Sequence, residues 1–385
     1  MAEDNKPIRV LQVTLGDGSY GGVASFLYTF YSHMNHRRVL CDFLYCAKNS
    51  MASKMDTEAL RQSKVTALGA IKPANNGFSD YAKLLPALKK YFRENRYDIV
   101  HINTSNVYLC VSVLHSVPKG TLCITHSHNT KPVISDSRSF KRRIKELLFL
   151  PCRKYILHKA DYYFACSKAA GFHLYGEKII DSPKFRVIYN AIDIERFRFN
   201  EDTRRKYRNT NNFVFGHVGR MTQQKNPIFL LKIFKEIHFR MPNSELWMIG
   251  EGELRQDIEQ SIADLNLTDS VKLLGRREDV AEFMQAMDAF IFPSLYEGLS
   301  IVTIEAQAAG LPIFASDNIS PEHKVTKLMS FLPLKKDPAE WAENILATLE
   351  RTSTRCDMSS ELIAAGYEIH SAAKNLEDFY IKADE

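Results

Sequence analysis

Four charged side chains in the second half of the chain have the types and spacing needed to hold a diphosphate and the groups attached to it. Arg220 and Lys225 lie in GRMTQQKN, directly after the apolar run FVFGHV, and Pro227 follows where a helix can begin. A guanidinium fork and an ammonium beside a helix amino terminus suit a diphosphate. Glu297 and Glu305 are separated by seven residues in PSLYEGLSIVTIEAQAAG. The two carboxylates can therefore bind different parts of one extended ligand, such as a sugar and a ribose.

The segment between the two glutamates predicts a helix whose amino end supplies further hydrogen-bond donors. The apolar run FIF ends at Pro293, a turn follows, and Ser300 is placed to cap a helix that contains Glu305. The first amides of a helix have no intrahelical acceptor, so they can seat an anion in the space between two domains. The amides expected to do so are those of Leu299, Ser300, Ile301 and Val302.

Two neighbouring loops add candidates for contact with a nucleotide. Gly250 and Gly252, in IGEGEL, permit a tight turn and a close approach of the backbone. Arg277 lies in RREDV, after the run VKLLG, where a main-chain edge can meet a planar base. Ligands of open α/β sheets bind beyond the carboxyl ends of the strands, and both loops follow predicted strands.

A glycine-rich stretch near the start of the chain raises a NAD site as an alternative. GDGSYGG contains the pattern G-x-G-x-x-G at Gly16, Gly18 and Gly21, and the acidic residue Asp42 follows. However, Asp42 is followed by FLY, which places it inside a strand rather than at the strand end where a ribose is bound. The position of Asp42 therefore argues against NAD.

Composition and charge describe a globular chain with an uneven charge. The 385 residues are 45% hydrophobic and 25% charged, and the seven cysteines form no C-x-x-C pair, which predicts reduced thiols and no metal site. No apolar stretch reaches the roughly 18 residues of a membrane span, and no signal-peptide pattern is present, so we expect a cytoplasmic location. Residues 1–190 carry 28 Lys and Arg against 14 Asp and Glu, whereas the remainder carries 23 against 31.

The basic half of the chain calls for an anionic partner. Eight of its basic residues fall in 137–159, a stretch with interspersed apolar residues. As a helix, this stretch can lie on an anionic membrane surface, or its apolar stripe can face its own sheet, and the sequence leaves both open. Nucleic acid is disfavoured because no nucleic-acid-reading motif accompanies the charge.

Short runs of β-branched and aromatic residues alternate with helical patterns, which predicts an α/β fold of parallel sheets covered by helices. We expect two doubly wound, Rossmann-like domains that face each other across a cleft, at residues 1–190 and 191–362, with the polar segment 190–212 as the linker. A final helix is expected from 362 to 381, in the last segment of the chain, 363–385. The predicted strands are 8–15, 39–45, 98–103, 122–126, 162–165, 186–189, 213–218, 245–249, 271–274, 289–292 and 312–315.

Together these motifs resemble the retaining glycosyltransferases of family 4, group 1 type, which have the two-domain GT-B fold. Within that family, the motifs are most similar to those of bacterial transferases that build capsular or exopolysaccharide units on a lipid carrier. The matching segments run in order from about residue 8 to residue 320. They are GGVASF, HSHN, ACSKAAG, YNAIDIERF, GHVGRMTQQKNP and PSLYEGLSIVTIEAQAAGLP.

The resemblance implies a role for each matching residue in the second half. Arg220 and Lys225 would neutralise the diphosphate of a nucleotide sugar, Glu305 would accept hydrogen bonds from the ribose, and Glu297 would contact the transferred sugar. The donor-binding set is completed by Gly250, Arg277, Leu299, Ser300 and Ile301.

In the first half, His126 matches a histidine that reaches the donor sugar, with His128 and Asn129 as weaker candidates. Gly21 and Gly22 match a glycine loop that lets the backbone approach the donor phosphates and the acceptor. The final helix would pack back on the first domain, as in other GT-B chains.

The activity implied is transfer of a sugar from a nucleotide sugar, with UDP favoured, to a saccharide or lipid-linked saccharide. The resemblance also implies retention of anomeric configuration and no metal cofactor. Two alternatives stay open: a nucleotide-sugar 2-epimerase of the same fold, and a non-catalytic donor-binding subunit. The glutamate pair and the HSHN loop argue against the epimerase, and the intact acids and cations argue against a degenerate subunit.

Overall fold

A computed structural model describes residues 6–14, 22–47, 62–71, 78–128, 140–351 and 355–384. The chain divides into two compact units, the first formed by 1–191 and 369–385 and the second by 192–368. The domain boundaries predicted after residues 190 and 362 lie one and six residues before the boundaries of the units, after 191 and 368. We describe each unit by itself.

The first unit is built on a seven-stranded parallel sheet of order β3-β2-β1-β4-β5-β6-β7. Its strands are almost continuous apolar runs because helices cover both faces of a parallel sheet. The chain reverses its direction of travel across the sheet between β1 and β4, which makes that point the topological switch. The strands are β1 (Ile8–Thr14), β2 (Val39–Ala47), β3 (Val65–Ile71), β4 (Ile99–Asn103), β5 (Leu122–Ser127), β6 (Tyr162–Ala165) and β7 (Phe185–Val187).

Two buried clusters form the core of the first unit, one on each face of the sheet. Asn106 begins α3, because its side chain accepts hydrogen bonds from the amides of Tyr108 and Leu109. Ser167 caps α5 in the same way through the amide of Ala170. The helices are α1 (Gly22–Ser32), α2 (Phe78–Glu94), α3 (Val107–Ser116), α4 (Phe140–Lys159) and α5 (Lys168–Tyr175).

The last helix of the chain, α14 (Ile369–Asp384), belongs to the first unit. Its apolar face joins the core through Ile369, Leu376 and Tyr380. The carboxylate of Glu377 accepts hydrogen bonds from the Asn35 amide at 2.7 Å and from the Arg38 guanidinium at 2.8 Å. Apolar burial and this polar contact together fix the helix on the unit formed by the beginning of the chain.

The second unit contains a six-stranded parallel sheet of order β10-β9-β8-β11-β12-β13, so its switch point lies between β8 and β11. Its strands are β8 (Phe213–Val218), β9 (Ser244–Ile249), β10 (Val271–Gly275), β11 (Ala289–Phe292), β12 (Ile313–Ser316) and β13 (Met329–Leu332). Its helices are α6 (Ile194–Phe197), α7 (Glu201–Tyr207), α8 (Pro227–Arg240), α9 (Arg255–Asp264), α10 (Val280–Ala286), α11 (Ile301–Ala308), α12 (Pro338–Arg351) and α13 (Ser359–Ala364). The predicted α/β fold class is confirmed in both units.

The linker predicted at 190–212 is wrong in one respect, because most of this segment is structured and part of the second unit. It forms α6 and α7, and α6 buries Ile194 and Phe197. Arg204 and Arg208 of the α7 region both bond the Asp288 carboxylate, at 2.6 and 2.9 Å. The many charges of this segment therefore make specific ion pairs.

Candidate functional site

The loops that follow β8 and β11 meet at the switch point of the second unit. The amide of Leu295 donates to the Gln224 carbonyl at 2.8 Å, and the Gln224 side chain returns a hydrogen bond to the Tyr296 carbonyl at 3.0 Å. Asn226 has a left-handed backbone, with φ of 55°, and its side-chain amide donates to the Pro293 carbonyl at 3.2 Å. These bonds bring together the segments that contain the predicted cations and acids.

Lys225 and Glu297 form a buried ion pair. The Lys225 ammonium lies 2.8 Å from Glu297 Oε1, and their side chains are only 14% and 7% exposed. The ammonium also lies 4.6 Å from the ring centroid of Phe292, the last residue of β11. A carboxylate and an aromatic face therefore fix the position of the cation.

Arg220 is in a different state from Lys225. It is exposed on the same loop, two residues beyond β8. Among the residues that the structure describes, its guanidinium makes no hydrogen bond or ion pair. Its five donors are therefore available to an anion.

The amino end of α11 differs in detail from the prediction. Ser300 is the N-cap residue, but its hydroxyl makes no capping hydrogen bond. Its amide is not free either, because it donates to His323 Nε2 at 2.9 Å. His323 is fully buried, and its Nδ1 donates to the Ser320 carbonyl at 2.8 Å. The amides of Ile301 and Val302, as the first residues of the helix, have no intrahelical acceptor.

His323 is a site residue that sequence reasoning missed. It lies 23 residues beyond Ser300, in ISPEHKV, where no pattern marks it. Burial lowers its pKa, while Glu297 raises it and Lys225 lowers it, which places it in the electrostatic field of the buried ion pair. Gln307 of α11 also donates to the His323 carbonyl at 2.9 Å, so this segment is held firmly on the helix.

Glu305 lies one turn inside α11 and is half-buried. Burial raises the pKa of its carboxyl to about 7, and Arg196 acts in the opposite direction. Within the described parts of the chain, the carboxylate makes no hydrogen bond or ion pair. A half-buried acceptor without a partner is suited to ligand hydroxyls.

Gly250 and Gly252 are required by contact between protein loops. Gly250 has φ of 137°, and a Cβ there would lie 2.0 Å from the Gly219 carbonyl oxygen. A Cβ on Gly252 would lie 2.4 Å from the Met221 carbonyl oxygen. The amide of Gly250 also donates to the Gly275 carbonyl at 2.8 Å, which ties the loops after β8, β9 and β10 together.

Replacing Gly250 by alanine is expected to lower the free energy of unfolding by about 3 kcal/mol, because the new methyl group adds a backbone clash to an unfavourable φ. Gly120→Ala is the matched control, since Gly120 also has positive φ, at 86°, but nothing lies within 4 Å of a Cβ there. The control should lose only about 1 kcal/mol. Denaturant titrations of both variants measure this, and equal losses would contradict the clash.

The contacts that the structure gives for the Arg277 side chain are with residues of its own segment. Its guanidinium makes two hydrogen bonds to Asp279, at 2.8 and 2.6 Å, and lies 4.9 Å from the centroid of the Phe283 ring. These contacts occupy its fork locally, so a role in donor binding stays a prediction.

In the first unit, His126 is the last but one residue of β5 and is fully buried. Its ring stacks against His101, with centroids 5.3 Å apart, and against His128, with centroids 4.0 Å apart. Among the residues that the structure describes, neither ring nitrogen of His126 has a hydrogen-bond partner. Burial, followed by the charges of the two neighbouring histidines, lowers its pKa well below the ordinary value, so the ring is neutral near pH 7.

The stability of the first unit is expected to fall in mild acid. Burial lowers the pKa of both His101 and His128 to about 3. The unfolded chain protonates these residues below about pH 6.5 while the folded chain does not, so each histidine costs up to about 2 kcal/mol by pH 5. The stability that the two neutral histidines allow is complete above pH 6.5 and is lost as the pH falls toward 3.

His128 Nε2 lies 3.1 Å from Asn103 Oδ1. His128→Gln should reduce this acid sensitivity, because glutamine does not titrate and its side-chain amide can keep that hydrogen bond. Exchange of the β4 and β5 amides with deuterium at pH 5 and pH 7 measures the effect. His158→Gln, at an exposed position of α4, is the control. An unchanged pH dependence in the His128 variant would contradict the assignment.

The remaining predicted residues are placed as follows. Gly22 is the first residue of α1, whereas Gly21, Asn129 and residues 129–139 lie outside the described residues. Asp42 lies inside β2, and its carboxylate accepts hydrogen bonds from Arg9 at 2.8 Å and Tyr97 at 2.9 Å, which leaves it a structural role.

No group of three potential metal ligands occurs in the parts of the chain that the structure describes. In those same parts, no helix has the length and apolarity to cross a bilayer.

Two parallel-sheet, Rossmann-like units, with charged residues at the switch point of the second, define the fold of the chain as GT-B. Comparison with known families agrees with this class. Residues 20–196 match the family described as Glycosyltransferase Family 4, and residues 212–351 match that described as Glycosyl transferases group 1. The chain belongs to these glycosyltransferases.

Similar proteins support this membership. A Bacillus subtilis protein named as a glycosyltransferase, EpsF, is 29% identical over 370 residues, covering 94% of this chain and 93% of that protein. The Escherichia coli UDP-Gal:alpha-D-GlcNAc-diphosphoundecaprenol alpha-1,3-galactosyltransferase is 32% identical over 248 residues, 61% of this chain and 62% of that enzyme. Among solved structures, Anabaena Alr3699/HepE in complex with UDP superimposes with a TM-score of 0.73 at 17% identity, covering 97% of this chain and all of that one.

Proposed function

We propose that this glycosyltransferase moves a hexose from a UDP-sugar to a saccharide carried on a lipid diphosphate, in the assembly of a bacterial polysaccharide. The reaction is retaining and needs no metal. The observation that carries the proposal is the switch point of the second unit, where Lys225, Arg220 and the start of α11 supply positive potential and Glu305 supplies an unpartnered acceptor.

Each of these groups has a chemical task in this proposal. Arg220 and Lys225 bind the diphosphate, the amides of Ile301 and Val302 bind its terminal oxygens, and Glu305 accepts hydrogen bonds from the ribose hydroxyls. The charge that develops on the leaving diphosphate is the main barrier to transfer, so fixed positive groups around it provide most of the catalysis.

The chemical step follows from the same arrangement of charge. The bond between the anomeric carbon and the diphosphate oxygen breaks, and the acceptor hydroxyl oxygen bonds to that carbon from the same face. The acceptor proton passes to the departing phosphate oxygen, and a nucleoside diphosphate leaves. For His126 we keep the role that the family resemblance implies, contact with the transferred sugar, and for Glu297 a similar contact.

Two comparisons support the choice of substrates. The printed name of the Escherichia coli relative gives UDP-Gal as its donor and a diphosphoundecaprenol-linked sugar as its acceptor. HepE was solved with UDP. The excess of basic residues in 1–190 also suits an acceptor that carries a diphosphate at a membrane surface.

The test is a transfer assay with purified enzyme, UDP-hexoses and short-chain prenyl diphosphate-linked sugars, read by mass spectrometry and by the anomeric NMR coupling of the product. The expected product keeps the α configuration of the donor, and EDTA leaves the rate unchanged. A β-linked product or loss of the rate in EDTA would overturn the corresponding part of the proposal. An epimerised donor would indicate a nucleotide-sugar epimerase instead. Donor binding without turnover would indicate a donor-binding subunit.

Membrane association is part of the same proposal and has its own test. Residues 137–159 carry eight basic residues and one acidic residue, and Leu150 and Phe172 in the α4–α5 region are 56% and 42% exposed. We expect binding to liposomes that contain phosphatidylglycerol, weakened at high salt. A variant with glutamate at 141, 142, 143 and 145 should bind at least tenfold less; equal binding at low salt would contradict membrane docking.

A further inference from the structure

A chain of hydrogen bonds between buried side chains runs through the first unit beside His126. It joins α14 to β1, β4 and the residue that follows β5, although α14 is the last helix of the sequence. Four of its members are at most 5% exposed. The members, in order, are His101, Tyr380, Gln12, Asn103 and His128.

The first arm of the hydrogen-bond chain, from Gln12 through Tyr380, determines the tautomer of His101. The Gln12 amide nitrogen, which can only donate, lies 3.0 Å from the Tyr380 hydroxyl oxygen. Among the described residues, His101 Nδ1, 2.6 Å away, is the one acceptor within reach of the hydroxyl's own hydrogen, so the hydroxyl donates to it. His101 Nδ1 is the acceptor of this bond, so the ring carries its proton on Nε2.

The second arm of the hydrogen-bond chain, from Gln12 through Asn103, determines the tautomer of His128. Asn103 Nδ2 donates to Gln12 Oε1 at 2.8 Å, which leaves Asn103 Oδ1 to face His128 Nε2 at 3.1 Å. An amide oxygen only accepts, so His128 holds its proton on Nε2. His128 Nδ1 is then a bare acceptor, and it has no hydrogen-bond partner in the part of the chain that the structure describes.

Both tautomers act on His126, whose ring lies against the two histidines. The His101 and His126 rings are nearly parallel, at 11°, and the His126 and His128 rings are at 31°. A proton on either neighbour would place a positive charge against His126. At His101 the hydroxyl donor occupies Nδ1 and opposes a second proton, whereas the bond at His128 Nε2 fixes the tautomer of a ring that burial keeps neutral.

We propose that Tyr380 is a positioning residue for His126: its hydroxyl fixes the neutral tautomer of His101 and, through Gln12 and Asn103, that of His128, so that His126 stays an uncharged ring able to bond a sugar hydroxyl. The bond from His126 to a sugar hydroxyl rests on the proposed function. The tautomers of His101 and His128 do not depend on it.

The test uses the full-length enzyme with ¹⁵N-labelled histidine, and long-range ¹H–¹⁵N correlation spectra assign the His101 tautomer. Wild type should show the Nε2–H form of His101. Tyr380→Phe, which removes only the hydroxyl, should give a mixture of tautomers and lower kcat about tenfold with an unchanged KM for the donor. Gln12→Met breaks both arms at once, so it should give the same spectral change if the Tyr380 variant folds poorly.

Tyr97→Phe is the matched control. Tyr97 is a buried tyrosine of the same unit, and its hydroxyl bonds Asp42 at 2.9 Å rather than a member of the chain. This variant should leave the His101 spectrum and kcat unchanged. In a His126→Ala background, Tyr380→Phe should cause no further loss of rate, because its effect acts through His126.

An Nδ1–H form of His101 in wild type, or a Tyr380→Phe variant with both spectrum and kcat unchanged, would overturn the inference. An equal fall of kcat in the Tyr97 variant would reduce Tyr380 to a general structural role. A wild type that turns over no sugar donor would contradict the proposed function, and the histidine spectra would still decide the tautomer assignment.

Discussion

Lys225→Met should lower kcat/KM for sugar transfer by about 10²- to 10³-fold, because it removes the fixed cation that stabilises the leaving diphosphate. The same change should destabilise the second unit by about 3 kcal/mol, since the Glu297 carboxylate, 7% exposed, loses the ammonium 2.8 Å away. Steady-state kinetics measure the first effect. The fluorescence of the tryptophans, both of which lie in the second unit, measures the second during denaturant unfolding.

The double variant Lys225→Met/Glu297→Gln separates these two effects. Neutralising the acid should restore most of the stability while the activity stays low. If the double variant recovered activity together with stability, Lys225 would be a structural residue and the assignment of the cation to the diphosphate would be wrong.

Glu305→Gln should weaken the binding of UDP by about 10- to 100-fold, which is the loss expected when hydrogen bonds to a charged acceptor become hydrogen bonds to a neutral one. It should also stabilise the free protein at pH 8. Burial raises the pKa of Glu305 to about 7 in the folded chain, so its ionisation destabilises the fold progressively from about pH 4.5 upward, in full above pH 7. Removing the charge recovers up to about 3 kcal/mol at pH 8 and nothing at pH 4.

Isothermal titration with UDP and thermal melts at both pH values test this pair of effects. Glu343→Gln is the control, because Glu343 is an exposed glutamate of α12. A Glu305→Gln variant that binds UDP like wild type would remove Glu305 from the nucleotide site. A lower melting point at pH 8 would contradict the raised pKa.

The elements that position the donor site are predictable from local sequence. The apolar run FVFGHV, followed by charged residues and by proline, predicts β8, its loop and the start of α8, and the structure places them there. FIFP and the small-residue stretch after it predict β11 and α11 in the same way. Each of these signals lies within about ten residues, and burial against a parallel sheet makes it strong.

What sequence reasoning missed depends on contacts between distant segments. The bond from the Ser300 amide to His323 and the bond from Tyr380 to His101 join residues 23 and 279 positions apart, and no local pattern encodes such pairs. The edge strands β3 and β13 are also not predicted, because VTALGAI and MSFL are partly exposed and mixed in polarity. The helices in 192–208 are not predicted because they are too short to show an apolar period: α6 has four residues and α7 has seven, and α7 buries none of them.

Thermal denaturation of the purified protein with UDP, GDP, ADP and CMP tests the central claim most directly, since a ligand that binds only the folded state raises the melting temperature without any acceptor. We expect UDP to stabilise the protein by several degrees, and the shift to disappear in Arg220→Ala and Glu305→Ala while both variants stay folded. A folded wild-type protein that responds to none of these nucleotides, or a UDP shift that persists in both variants, would contradict the donor site proposed for the second unit.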